Sequence, residues 1–351
     1  MEGKKKLAIA CQGGGSHTAF TAGVLKKVLE QKVYEKYNLV GLSGTSGGAI
    51  CATLAWFGLL KLAQGETSQP VYQGLVDFWA ENSAINAWER SLNNLIIESI
   101  RLQDMGTIPA FSSNPYSGGW LQNTLRMLAP RKEYLDFKAL LEKHIPFQQL
   151  HKYIKADSPR LLLGAVNVLS GEFKAFDSWQ NDEISIEAVQ ASAAIPNVFQ
   201  AVQIGNGAYW DGLFSQNPPI SPFIDDDHAS KDARPEEIWI VQINPKERKT
   251  EPTTAEEILD RRNELGGNLS LFQEMRFIEI VNDWIREGAF SQEYMERVKP
   301  TPIDVRLIQM SDELSDSLDY ASKLDRSPAY IQRLMADGEK QAEVFLNSLN
   351  S

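Results

Sequence analysis

At 351 residues the chain is long enough to bury a large core, as one big α/β domain or two smaller ones. Its composition, 43% hydrophobic and 23% charged, is that of a globular protein with no biased tract long enough for disorder. A formal charge of −11 argues against a nucleic-acid binder, which needs Lys and Arg against phosphate; it also weakens electrostatic attraction to an anionic membrane, leaving apolar contact with lipid open.

The charged start before Leu7 resembles the first region of a signal peptide, but the apolar run to Cys11 is too short for one and ends in glycines. Lys5–Cys11 therefore reads as a first strand. After Gly13-Gly14-Gly15, the residues Ala19, Val24, Leu25, Val28 and Leu29 recur at helical spacing. Leu39–Ser43 reads as a second strand and Gly47–Leu60 as a helix apolar nearly all round, so the chain begins strand, helix, strand, helix. That alternation predicts a mostly parallel sheet with helices on both faces. Cys11 and Cys51 sit in apolar runs and read as buried free thiols in a reducing compartment. No run of about 18 apolar residues is present to span a bilayer, and a soluble cytoplasmic protein is the default expectation.

Residues 61–157 lose the alternation. They are rich in helix formers, broken by Gly106, Pro109, Pro115 and Gly118-Gly119, and carry Phe78, Trp79, Trp88, Phe111, Tyr116 and Trp120. A helical insertion or cap is expected here, although each aromatic alone is also explained as core between helices. Arg160–Leu169 reads as a strand, turning at Ser170-Gly171 into a partner at Glu172–Phe176. Glu183–Ala194 reads as a helix, Ala208–Asp211 as a short strand or turn, and Glu237–Ile243 as a buried strand. The loop from Asp225 to Glu236 is charged, but its three consecutive aspartates lack the further ligands a metal site requires. Pro302–Met310 reads as a late strand; Thr254–Trp284 and Ser311 to the end read as amphipathic helices.

Two glycine-rich junctions carry the chemistry. Gly44-Thr45-Ser46-Gly47-Gly48 matches G-x-S-x-G between an apolar strand and a helix, the context of a nucleophile elbow. There the turn strains the serine backbone and exposes its hydroxyl, and the helix start favours developing negative charge. A tight glycine turn with an incidental serine satisfies the same five residues. Gly13-Gly14-Gly15 lets backbone N–H groups converge, which suits either a phosphate or the oxyanion of a tetrahedral intermediate. It lacks the third glycine of a dinucleotide loop and the lysine of a Walker loop. Ser16 and His17 follow it and are candidate site-lining residues.

The serine needs a base. His144 and His151 lie in the helical insertion, and His228 in the charged loop with no strand directly before it. His17 would have to leave the helix start. Asp211, in Tyr209-Trp210-Asp211-Gly212, could meet a hydroxyl directly, although an Asp-Gly pair by itself is also an ordinary turn.

Together, Gly13-Gly14-Gly15, Gly44-Thr45-Ser46-Gly47-Gly48 and Asp211-Gly212 resemble, in this order, the motifs of the patatin-like phospholipase family. Ala191-Ser192-Ala193-Ala194-Ile195-Pro196 is similar to the family's A-S-x-A-x-P segment, and Asn217-Pro218 to its usual sequel. The resemblance, over roughly residues 7 to 220, looks like that of a bacterial branch with a long helical C-terminal region. It implies a three-layer α/β/α sandwich, Ser46 as nucleophile, Asp211 as its base, and an oxyanion hole at Gly13, Gly14 and Gly15. No metal or cofactor is implied. The substrate implied is an acyl-lipid or other ester; acyl transfer, thioester or hydroxyalkanoate cleavage share the same dyad, and a non-catalytic lipid-binding protein is the rival of another class. Four positions depart from the family: Gln12 where it usually has aspartate, His17 and Thr18 where it has a cation and then glycine, and Leu213 where it often has a small residue. Residues 1–245 are expected to form the hydrolase domain, with 246–351 a mainly helical extension that packs on the core, covers the site or mediates self-association.

Overall fold

The computed structural model describes residues 3–109, 116, 124–125, 128–180, 183–196, 198–224 and 234–349. Phe111, Pro115, Gly118, Gly119 and Trp120 of the insertion, and Asp225 and His228 of the charged loop, lie outside the described residues.

The described strands form one eight-stranded sheet: β1 (Lys6–Cys11), β2 (Asn38–Thr45), β3 (Arg160–Asn167), β4 (Phe173–Asp177), β5 (Val202–Ile204), β6 (Gly207–Asp211), β7 (Glu237–Gln242) and β8 (Asp304–Gln309). Their order is β5-β6-β3-β2-β1-β7-β8, with β4 also on β3. The pairs β1–β2, β1–β7, β2–β3 and β7–β8 are parallel; β3–β4, β3–β6 and β5–β6 are antiparallel. The expected three-layer α/β/α sandwich with a mostly parallel sheet is therefore the fold.

Strand periodicity explains the layers. Leu7, Ile9 and Cys11 of β1 face one side and pack with Phe20 and Val24 of α1 (Ala19–Glu30) and with α3 (Gly47–Ala63), which follows the short α2 (Val33–Lys36). Ala8 and Ala10 face the other side, with Ile238 and Ile240 of β7, against Leu271 and Ile278. Every residue of α3 from Gly47 to Leu60 is buried, which is why its sequence shows no polar stripe. The insertion supplies α4 (Gln73–Asn82), α5 (Ala87–Asp104), α6 (Lys132–Leu135) and α7 (Phe137–His144); α8 (Ile186–Ser192) precedes β5. No helix among the described residues is long and apolar enough to cross a membrane.

The C-terminal region is built from α9 (Ala255–Arg286), α10 (Gln292–Val298), β8, α11 (Asp312–Ser315) and α12 (Pro328–Ser348). Thr254 caps α9 through a reciprocal capping box with Glu257. The helix expected from Ser311 onward is instead interrupted between Asp316 and Ser327. There Asp319 Oδ1 accepts the N–H of Ser322 at 2.7 Å, and Asp325 Oδ1 that of Ser327 at 2.8 Å. Short polar side chains thus capture backbone donors that a helix would use, and Pro328 begins a fresh helix.

The last helix, α12, lies against α1 across two glycines. Gly23 faces the carbonyl of Met335, and Gly338 faces that of Phe20; a Cβ on Gly338 would sit 2.9 Å from the Val24 nitrogen. Gly338→Ala is therefore expected to destabilise the fold by about 1–3 kcal/mol through overpacking. Urea unfolding checks this: the midpoint should fall with an unchanged slope, and an unaltered midpoint would contradict the close approach.

Candidate active site

The register of β3 brings the two principal candidates together. Residues Leu162–Gly164 pair with β2 and β4 at once, so those strands occupy opposite edges of β3. Residues Ala165 and Val166 pair with β4 and β6 at once, so β6 must share the β2 edge. Thr45 ends β2 opposite Gly164, and Asp211 ends β6 opposite Ala165. The two strands therefore meet end to end, with Ser46 and Asp211 at the meeting point.

Ser46 leaves β2 with φ 57° and ψ −130°, in the left-handed half of backbone space, before α3 starts at Gly47. Such a conformation costs about 1–3 kcal/mol for a residue with a side chain. It is held from the A-S-x-A-x-P segment. The Ser46 N–H donates to the carbonyl of Ser192 at 3.0 Å and to Ser192 Oγ at 3.1 Å. Ser192 Oγ in turn donates to the Gly164 carbonyl at 2.7 Å. Two residues on, the Ala194 carbonyl accepts the N–H of Asp211 at 3.1 Å. One short segment thus anchors both chain ends. Ser192 lies within the A-S-x-A-x-P segment, but nothing in its sequence context signals this role.

The Asp211 carboxyl is buried, and burial pushes its pKa up to about 7, against smaller lowering by the Leu213 N–H and the Ser46 hydroxyl. Oδ1 accepts that N–H at 2.9 Å. Oδ2 is buried without a hydrogen-bond partner among the described residues, although the Ser46 hydroxyl is near enough to act on the carboxyl. Leu213, the departure after Asp-Gly, is 37% exposed, so it extends outward without crowding the carboxylate.

The elbow glycines are needed for space. A Cβ on Gly44 would lie 2.5 Å from the Gly48 carbonyl carbon, one on Gly47 2.9 Å from the Gly15 oxygen, and one on Gly48 2.7 Å from the Gln12 oxygen. The glycine loop is therefore pressed onto the start of α3. Gly13 packs against Ser46 and gives its N–H to Asn217 Oδ1 at 2.7 Å. Gly15 takes φ 57°, with the carbonyl of Lys323 where a Cβ would stand. Gln12 fixes the base of this loop. Its Oε1 accepts from the N–H groups of Ile243 (2.7 Å) and Asn244 (2.9 Å), and its Nε2 donates to the Gly267 carbonyl and Asn268 Oδ1. An aspartate there could not donate to α9; the glutamine matches this chain's own C-terminal helix.

A cavity of about 440 Å³ opens over Ser46 and is lined at that end by Gly15, Ser16 and Gly47. Its walls are mainly apolar: Phe78 and Trp79 of α4, Ile96 of α5, Leu140 of α7, and Val198 and Phe199. The expected insertion thus supplies much of the pocket wall. His17 does not line it. Its buried imidazole turns to Ser322 Oγ at 2.9 Å and edge-on to Tyr330, and burial, aided by nearby Lys323, holds its pKa well below the usual range. His144 bonds Glu81 at 3.2 Å. Among the described residues no histidine lines the cavity. Lys323 and Arg326 do line it, although they come from the tail and carried no motif that could have marked them.

Among solved structures, the chain is similar to VipD from Legionella pneumophila, at 14% identity and a TM-score of 0.42, covering 98% of this chain and 67% of that one. It is also similar to the ExoU–SpcU complex of the Pseudomonas aeruginosa type III secretion system, at 15% identity and a TM-score of 0.33, covering 97% of this chain and 52% of that one. No curated protein matches it. The family model described as patatin-like phospholipase matches residues 9–224, which takes in both glycine-rich junctions, Ser192 and Asp211. The chain belongs to the patatin-like phospholipase family, ester hydrolases that act on lipids.

Proposed function

We propose that the chain cleaves acyl-lipid esters through an acyl-enzyme on Ser46, with Asp211 as the general base. The observation that carries this reading is the buried Asp211 carboxyl, held near a pKa of 7 and facing a serine in a strained elbow at the end of an apolar cavity. The Ser46 oxygen attacks the ester carbonyl carbon while its proton passes to Asp211. The oxyanion forms at the junction of the glycine loop and α3. Since the N–H of Gly13 already bonds Asn217, the donors assigned to it are Gly14 and Gly15, with Gly47 at the positive end of α3. Collapse of the intermediate expels the alcohol, which takes the proton from Asp211. Water then attacks the acyl carbon, Asp211 takes its proton, and the acid leaves with Ser46 restored. The same reading keeps residues 1–245 as the hydrolase unit and 246–351 as a mainly helical extension packed on it.

A fluorescent fluorophosphonate should label the wild type and fail to label Ser46→Ala of equal thermal stability. Labelling that persists in Ser46→Ala would remove Ser46 from the role. Hydrolysis should depend on the deprotonated form of Asp211, so kcat/KM should be flat above about pH 7 and fall about tenfold per unit below it. A profile level down to pH 5 would reject a base of this pKa.

Asp211→Asn should abolish turnover yet raise stability. A carboxyl whose folded pKa is raised from 3.8 to about 7 contributes stability that is full below 3.8 and lost as pH rises through about 7. The melting temperature of Asp211→Asn should therefore exceed that of the wild type by more at pH 8 than at pH 5. An equal difference at both would mean the carboxyl ionises normally in the fold.

A further inference from the structure

The wall of the cavity facing the insertion carries a cation, Arg326, that has no carboxylate partner among the described residues. Arg326 lies between the turn Ala321–Leu324 and α12, outside the span matched by the family model. Its backbone is fixed independently of its side chain: its N–H donates to Asn93 Oδ1 at 2.8 Å, and its carbonyl accepts from the Ala84 N–H at 2.7 Å. The guanidinium lies over the Tyr134 ring, its Cζ 3.9 Å from the ring centre. Nε donates to the Asn82 carbonyl at 2.6 Å and Nη1 to the Tyr134 carbonyl at 2.9 Å. Both of those residues also line the cavity.

Among the described residues, Nη2 has no acceptor and no carboxylate lies within ion-pairing distance of Arg326. The nearby acid that acts on it, Glu89, already has both oxygens on Arg131, at 2.7 and 2.8 Å. Its partial burial pushes the guanidinium pKa down to about 10. A partly desolvated arginine with no carboxylate partner among the described residues costs stability. It persists here oriented and stacked, in the form that recognises oxyanions.

The other charges at the cavity are differently engaged. The Lys323 ammonium bonds Asn244 Oδ1 at 3.1 Å and lies in the field of Asp260 and Glu264. Glu133 is an anion and would repel one. His17, next to the glycine loop, faces Ser322.

We infer that Arg326 is a specificity-determining residue that binds an anionic phosphate on the alcohol side of the ester, so that the C-terminal region supplies the cation that the glycine loop lacks. The apolar walls take the acyl chain, Ser46 the ester carbonyl, and Arg326 the charged remainder of the same molecule. The inference rests on the ester-hydrolase reading for the identity of the ligand, but its test does not require turnover.

The full chain carrying Ser46→Ala is titrated calorimetrically with two amphiphiles differing only in the phosphate, hexanoylglycerol phosphate and hexanoylglycerol, and with inorganic phosphate alone. The phosphorylated ester should bind at least about tenfold more tightly than the neutral one. That preference should vanish in Ser46→Ala with Arg326→Gln and be partly retained with Arg326→Lys, which keeps the charge. Equal affinity for the two esters in the Arg326-bearing chain overturns the inference, and that arm needs no Arg326 variant to fold. A preference that survives Arg326→Gln overturns it too. Inorganic phosphate binding as tightly as the phosphorylated ester would make the site one for free anions and overturn the headgroup assignment. Fluorophosphonate labelling of Ser46 is independent of all three arms, so failure of the catalytic reading and failure of this one are told apart.

Discussion

Two strands share one edge of β3, and the rest of the site depends on that arrangement. Because β4 takes the other edge, β2 and β6 are forced into line, one arriving parallel and the other antiparallel. Their ends lie opposite adjacent residues of β3, Gly164 and Ala165, which sets the distance between Ser46 and Asp211 by backbone hydrogen bonding. Neither side chain then needs a loop to position it, and a rigid sheet holds the pair to tighter tolerance than loops would. The A-S-x-A-x-P segment reinforces the junction, since Ser192 and Ala194 bond the backbone N–H groups of Ser46 and Asp211 respectively.

The C-terminal region is woven into this centre. It adds β8 to the sheet, lays α9 on one face and α12 on the other, and sends the irregular segment between them to the glycine loop. Gly15 abuts Lys323, His17 bonds Ser322, and Gln12 bonds Gly267 and Asn268. The departures at Gln12 and His17 thus have a common explanation. Both side chains face the tail and hydrogen-bond it: Gln12 to α9 and His17 to Ser322. Burial of polar groups demands such matching, because an unpaired donor or acceptor in this core would cost about 1–3 kcal/mol.

Much of the fold was legible because its elements carry strong local signals. β1, β2, β3 and β7 are centred on apolar runs of the kind found in buried parallel strands, and α3 is long and apolar nearly all round. Signals failed where structure is set by partners. β5 is three residues, none of them buried, that exist as a strand only because β6 lies beside them. The amphipathic pattern after Ser311 predicted continuous helix, but Asp319 and Asp325 bond their own backbone and break it. The expectation that His17 might line the site came from its place in the loop, and the rotation of its ring toward Ser322 follows from a residue 305 positions later.

By itself the sequence determined the chemistry available: a serine between glycines at a strand–helix junction, a glycine run to bring N–H groups together, and an aspartate before glycine. These are local constraints, since backbone conformation at a tight turn is decided by which residues lack a Cβ. Only the tertiary structure decided which of these groups meet, that burial raises Asp211 to about 7, that Gly13 has its N–H engaged by Asn217, and that Arg326 stands in the cavity wall with no carboxylate partner among the described residues. Those properties depend on desolvation and on strand register between residues far apart in the chain, and neither quantity is written in any local window of sequence.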